Sequence, residues 1–433
     1  MSRTGPSLAA VLAVPEFRAL WFAEAQSVAG DQLAKVALAI LVYDRTNSAL
    51  WAAGVYALTF LPALAGGVGL SQLADRLPRR LLIVACTAVQ AVLVGLMAIP
   101  GTPLLVLCVL VVALNLVQAP ALAAQNALTR ELFDNNDLYL RSQDLRGMTT
   151  NTVMLAGLGG GGLLVMAIGT SWALALDAVT FAISSLVVFA GVRERPVAGS
   201  PQDGWFGAAR RVFGDRKLRL LLTMAWLVGL VVVPEGLAAP LAREIGASSE
   251  AVGWLLAADP FGFVIGTFVL SHFVSGQVRV RLIGVLATGS VGMLIAFLVH
   301  PNLAVALVLL ALAGALGAYQ IAVSATFNTL VPNEIRGGAI GLARTGLRVA
   351  QGVGVALGGL VAELIGSAVT TVALAGAAGV LIAVPAAISW ARLNSRPEAP
   401  GTNGKSVPHP HIPTVRAEPD PIRRRPRVKQ KPD

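Results

Sequence analysis

Apolar stretches long enough to cross a bilayer recur from residue 17 to residue 391, separated by short polar or Pro/Gly breaks. A hydrocarbon layer about 30 Å thick needs roughly 20 helical residues, and runs of that length stand near 17–42, 49–72, 81–99, 103–127, 145–167 and 171–191. A second set follows near 218–240, 250–274, 279–300, 302–327, 338–364 and 367–391. A membrane barrel would instead alternate apolar and polar positions over about ten residues at a time, and no stretch does so. The pattern predicts an all-α membrane protein of twelve transmembrane helices.

Arginines between the runs set the expected orientation. Arg76, Arg79, Arg80, Arg130, Arg141, Arg193, Arg195, Arg210, Arg211, Arg216, Arg219, Arg279, Arg281 and Arg336 fall on one face, against Arg45 and Arg243 on the other. Positively charged short loops stay inside, so both termini are expected in the cytoplasm. The early SLAAVLAV run is short, ends in Pro15 and Glu16, and runs straight into a full span, so residues 1–16 read as a cytoplasmic lead rather than a signal peptide.

Composition agrees with this solvent. Hydrophobic residues make up 55% of the chain and charged ones 13%, with a mean hydropathy of +0.72, which excludes a water-soluble enzyme. The net charge of +10 is not a nucleic-acid signature, because residues from Arg392 onward supply much of it in a Pro-rich stretch poor in large apolar residues. That segment, 392–433, is expected to be a disordered cytoplasmic tail suited to topology, solubility and anionic headgroups. Its His409 and His411 are too few for a metal site, and Cys86 and Cys108 lie within spans as packing residues. No P-loop, HExxH or nucleophile-elbow pattern stands on a loop that would serve it, so neither catalysis nor an encoded ATP-driven mechanism is expected, and no cofactor. Arg far outnumbers Lys, and Ala, Val and Gly abound, pointing to a high-GC bacterial genome and a multi-pass place in the plasma (inner) membrane.

The second set of spans repeats the first at an offset of about two hundred residues. Gln118, Asn126 and Leu128 of span four reappear as Gln320, Asn328 and Leu330 in span ten, and Gly157, Gly161 and Gly162 of span five as Gly354, Gly358 and Gly359 in span eleven. Six spans per copy give the copies equal orientation, as in transporters that rock two halves about a central site. The expected domains are bundles 17–191 and 218–391, joined by a cytoplasmic linker, 192–217.

The loop after span two, Ser71 to Arg80, reads SQLADRLPRR and is similar to the GxxxDRxGRR signature of the major facilitator superfamily, with Ser71 and Pro78 in place of its glycines. The resemblance implies that fold and a gating motif. In it Asp75 would latch onto the positive helix end of span eleven, while Arg76, Arg79 and Arg80 reach neighbouring carboxylates or headgroups. Span four carries no arginine of an RxxQG core, and span five, reading GLGGGG from Gly157, lacks the proline of a GPxxGG motif. FRALW from Phe17, Gly30 with Asp31, QAPA from Gln118 and LDAVTF from Leu176 resemble instead the branch of macrolide efflux proteins and enterobactin exporters.

Ionisable groups at membrane depth are costly unless they pair or face water, so each is a functional candidate. Glu24, Ser27, Asp31 and Lys35 share one face of span one, expected to look into the cavity. Asp31 and Lys35 are spaced to pair with each other, an alternative to a proton or substrate role for Asp31. Glu24 is the first candidate for a coupling carboxylate. Asp259 and Arg348 stand near mid-depth and are placed to neutralise each other, as a gate or as a structural bridge. Glu235 is expected at the cavity mouth, and Asp177 in packing or capping. Asn115, Gln118, Gln320 and Ser324 are suited either to the cargo or to interhelical hydrogen bonds. The repeated glycines are expected to allow close helix approach and sliding against the other half.

The reading that results is a monomeric secondary exporter of a small amphipathic molecule, a drug, antibiotic or siderophore-like compound, driven by the proton gradient and working by alternating access in the lipid bilayer. Inward transport or lysophospholipid flipping stands as an alternative on the same fold, and a non-transporting sensor or scaffold as one from another class.

Overall fold

The computed structural model describes residues 8–60, 77–133, 135–195 and 205–394, and these are helical apart from caps and short turns. The first half comprises α1 (Pro15–Thr46), α2 (Ala49–Ala57), α3 (Arg79–Met97), α4 (Leu104–Leu132), α5 (Asn136–Ile168) and α6 (Thr170–Gly191). The second comprises α7, in the pieces Arg216–Trp226, Val228–Val231, Val233–Gly236 and Ala238–Glu244, then α8 (Ala251–Phe273), α9 (Gly276–Met293), α10 (Leu303–Gly317 and Tyr319–Leu330), α11 (Arg336–Ile365) and α12 (Ala368–Asn394). Eleven of the helices among the described residues are long and apolar enough to cross a membrane. The span expected over 49–72 is described only through α2 and the turn to Phe60. Asp75, Arg76 and the tail from residue 395 lie outside the described residues.

Local chemistry sets the helix ends. Ser48, Asn135, Asp215 and Asn302 each accept a hydrogen bond from a backbone N–H of the turn that follows, the shortest being 2.7 Å from Lys217 to Asp215. Asn135 starts α5 earlier than the apolar run alone predicts, which carries Arg146 from a loop edge into a helix interior. Within the expected linker, Trp205–Gly214 is a helix whose Val212 is buried against the second half, with Arg210 and Arg211 exposed.

Two helices break where they meet. α7 is interrupted after Trp226 and α10 at Ala318. There the Tyr319 hydroxyl donates to the Met224 carbonyl at 2.8 Å and the Gln320 amide to the Ala225 carbonyl at 3.0 Å. These bonds satisfy backbone acceptors beside a helix break, where an orphan would be costly in lipid.

Packing differs between the two ends of the molecule. At the end carrying the arginine-rich loops, here the basic end, each half has its own apolar core: Leu20, Ile83, Ala124 and Val188 in the first, Leu221, Ile283, Phe327 and Trp390 in the second. Toward the far end a single core runs through both halves, including Val36, Ala53, Val233, Leu255 and Val355.

The repeated glycines explain that closure, and they divide the work more finely than the sequence reading expects. Gly157 and Gly161 lie against Gln32 and Val36 of α1, and Gly354 and Gly358 against Gly229 and Val233 of α7, all within their own half. Only Gly162 and Gly359 face the other half, Gly162 against the Glu250 backbone and Gly359 against Ala53 and the Ala49 carbonyl. Without a side chain, α5 meets α8 and α11 meets α2 backbone to backbone.

A valine at Gly359 or Gly162 therefore wedges the far end apart. In a background without Cys86 and Cys108, Ala53→Cys, at a position with no exposed surface, should resist a membrane-impermeant maleimide and become reactive when Gly359→Val is added. Unchanged protection would contradict the assigned contact.

Candidate functional site

Charged and polar side chains converge where the two halves come together. Asp31 and Lys35 project from the middle of α1, Tyr56 and Phe60 come from α2 and its following turn, Glu235 from the third piece of α7, Asp259 from α8 and Arg348 from the middle of α11. The Tyr56 hydroxyl donates to the Glu235 carboxylate at 2.5 Å, a bond from one half to the other. Lys35 lies within electrostatic reach of Asp31, Arg348, Glu235 and Asp177. The site is thus a sparse constellation of opposite charges rather than a closed set of salt bridges.

The expected pairings are rearranged. Lys35 does not close an ion pair with Asp31; its ammonium donates to the Gln32 side chain at 3.2 Å. Asp259 and Arg348 do not neutralise each other by contact. One Asp259 oxygen, Oδ1, is buried without a hydrogen-bond partner, on a helix drawn tightly to α10 through Gly262, Gly266 and Gly314. The Arg348 guanidinium lies instead over the Phe60 ring, 5.7 Å from its centre, across the half interface. Glu235, expected at the cavity mouth, sits at the closed end because its Tyr56 bond spans the shared core. Asp177 is fully buried against Gly30 of α1, where any side chain would strike its carboxylate. Thr180 donates to Asp177 Oδ1 at 3.2 Å, and Oδ2 has no partner.

Glu24 is engaged in a second network toward the basic end. Arg146 of α5 grips its carboxylate with both arms, Nε to Oε2 at 2.5 Å and Nη2 to Oε1 at 2.8 Å. The remaining nitrogen donates to Asn126 at 3.1 Å, Gln143 at 3.0 Å and Thr129 at 3.4 Å. A planar fork with each of its three nitrogens engaged ties α1, α4 and α5 into one rigid block. Glu24 is therefore a partner in a bidentate ion pair rather than a lone acid.

Neutral candidates divide in the same way. Gln320 is committed to the α7 break and Asn115 to the Val111 carbonyl of its own helix at 2.8 Å, whereas Gln118 and Ser324 are exposed. At the basic end Arg79 pairs with Glu131 of α4, and Arg80 donates to the Phe189 carbonyl at 2.5 Å and lies 3.9 Å from Glu194, all within the first half. At the far end Glu363 of α11 accepts from the Ser48 hydroxyl at 2.9 Å and the Leu50 N–H at 3.2 Å, and Arg243 donates to Asn47.

Sequence reading missed Arg146, Tyr56 and Glu363. An arginine beside a span start looks like a topological marker until the helix is extended back to its Asn135 cap. Tyr56 resembles any amphipathic core aromatic, and its partner Glu235 is distant in sequence. Glu363 gives a signal only as an acid near a helix end.

The model of the Major Facilitator Superfamily matches residues 20–237 and again 232–428. No curated protein sequence matches the chain. Among solved structures, it is similar to a bacterial homologue of the human lysosomal transporter Spinster in an inward-facing, unoccupied conformation, with 16% identity, a TM-score of 0.66 and coverage of 89% of this chain and 99% of that one. It is similar also to the nucleoside transporter NupG, at 14% identity and TM-score 0.66 over 88% of this chain and 100% of the other. A POT family transporter in complex with 5-aminolevulinic acid gives 9% identity and TM-score 0.70 over 89% and 100%.

Removing one partner of the Glu24–Arg146 pair strands the other among buried groups. Glu24→Ala or Arg146→Ala should each destabilise the protein by about 3 kcal/mol, and the double variant by clearly less than the sum. Thermal unfolding of purified protein in detergent measures both; additive losses would show that the two groups do not act as a unit.

Proposed function

This chain belongs to the Major Facilitator Superfamily, a transporter fold rather than an enzyme, and from that premise we propose that it exports a small amphipathic molecule in exchange for protons. The basic end is the cytoplasmic one in this reading, by the positive-inside rule. The molecule is then closed toward the outside through Gly162, Gly359, Glu363 and the Tyr56–Glu235 bond. Among the described residues each half keeps its own core at the basic end, which supports halves parted toward the cytoplasm, where an outgoing cargo would load.

The observation that carries proton coupling is an imbalance of charge. Asp31, Asp177, Glu235 and Asp259 stand at membrane depth against Lys35 and Arg348. Fully ionised, this set would hold excess negative charge where each uncompensated charge costs several kcal/mol. Protons are the counterions that need no further protein group. Asp31 is within electrostatic reach of Lys35, which feels Glu235 and Arg348 of the other half, and Glu235 is bonded across to Tyr56, so a proton on either acid changes what holds the halves together. For exchange the proton must enter from outside and bias the protein toward the form open to the cytoplasm: a neutral Glu235 or Asp31 is buried again at lower cost as the far end closes, the two-state shift that alternating access requires.

Reconstitution tests this directly. Proteoliposomes should show counterflow of an exported compound without a pH gradient and accumulation against its gradient only with one. Asp31→Asn or Glu235→Gln should abolish the gradient-driven part while sparing counterflow. Binding without movement in either assay would identify a sensor, and accumulation driven in the opposite direction an uptake permease.

Tyr56→Phe removes the cross-half bond without removing the carboxylate. Spin labels at the outer ends of α2 and α11 should report a larger open-outward population than in the parent, by a factor of about five for a bond of about 1 kcal/mol. An unchanged distance distribution would dismiss that bond as a gate.

A further inference from the structure

The two membrane-depth arginines described above are treated in opposite ways. Arg146 has its donors committed to Glu24, Asn126, Gln143 and Thr129. Arg348, midway along α11, is solvent-exposed and makes no hydrogen bond or ion pair among the described residues. Among the described residues its guanidinium carbon lies 5.7 Å from the centre of the Phe60 ring, a cation–π neighbour that accepts none of its N–H donors at their edge.

A second cation approaches from the other half. Lys35 is within electrostatic reach of Arg348, yet among the described residues its ammonium is bonded only to Gln32. Two like charges converging across an interface repel. Glu235 lies within reach of both and Asp31 and Asp177 within reach of Lys35, but Glu235 is bonded to Tyr56 and none of these acids closes an ion pair with either cation, so an anion at the Arg348 edge displaces no salt bridge. Free donors, converging positive charge and an aromatic platform together make a receptor for an anion with an apolar body.

We infer that the cargo carries an anionic group, a carboxylate or a phosphate ester, gripped by the edge of Arg348 with Lys35 supplying a second positive charge from the opposite half. This deepens the transport reading and rests on it for the word cargo; the binding site itself stands on geometry alone. An anion held between α1 and α11 touches both halves at once, so its arrival and departure are felt by the contact that must open and close. Exposed Ser324 and Gln118 then serve neutral polar parts of the same molecule.

Equilibrium binding to the purified full-length protein in an uncharged maltoside detergent tests the assignment, with dodecanoate, lysophosphatidylglycerol and dodecyltrimethylammonium as probes. Wild type should prefer the two anions to the cation. Arg348→Gln should weaken the anions about tenfold or more and leave the cationic amphiphile unchanged or tighter. Arg348→Lys, which keeps charge but loses the fork, should fall between and guards against a Gln variant that does not fold. Lys35→Gln should give a smaller loss of the same sign. Dependence on Arg348 for dodecanoate alone identifies a free acid as the source, and for lysophosphatidylglycerol alone a lipid headgroup; either supports the anion site. Wild-type protein that binds neither anion or prefers the cation, or a monodisperse Arg348 variant that binds both anions as wild type does, would overturn it. If binding depends on Arg348 but proteoliposomes move neither probe, the transport reading fails and the site stands.

Discussion

Backbone contact between the halves at Gly162 and Gly359 is the constraint from which the remaining features follow. In lipid, apolar side chains gain little by leaving their surroundings for one another, so helices associate through close, well-fitted surfaces. A glycine at each crossing lets α5 reach α8 and α11 reach α2. The repeat supplies one such glycine per half, and that symmetry makes the two crossings equivalent. Between them the shared core excludes water from the far end, while at the basic end each half keeps a core of its own.

Charge is arranged around this contact in two regimes. Toward the basic end of the first half, the Glu24–Arg146 network fixes α1, α4 and α5 relative to one another. A rocking half must itself stay rigid, and a guanidinium bonded through all three nitrogens supplies that rigidity. At the meeting of the halves the opposite holds: Lys35 feels Asp31, Glu235 and Arg348, Asp259 feels Glu235, and none of the five is locked into a direct salt bridge. Groups bonded that loosely can exchange partners as the halves separate. A set of tight ion pairs in the same place would hold one state against all others.

Much of the fold was legible from periodicity alone, because bilayer thickness dictates span length and the repeat dictates parity. What escaped was decided by contacts between distant segments. The Asp31–Lys35 spacing fits an intrahelical pair, yet Gln32, one residue nearer, accepts from the lysine. The Asp259–Arg348 pairing is reasonable from depth, but depth says nothing about azimuth, and Arg348 turns toward Phe60. The repeated glycines are visible in the sequence, while the split between own-half and cross-half partners depends on which side of the helix each glycine occupies. Gln320 and Gln118 are equivalent by repeat and differ in use because α7 breaks beside one of them.

The contact at Glu363 carries a last consequence. This carboxylate binds the Ser48 hydroxyl and the Leu50 N–H, free donors at the start of α2, from a helix belonging to the opposite half. Donors at a helix start are equally content with solvent. When the halves separate there, water replaces the carboxylate one for one, and the Ser48 side chain still caps its own helix through the Trp51 N–H. The seal is thus strong in geometry and shallow in free energy, the property a cyclic machine needs if neither of its resting forms is to become a trap.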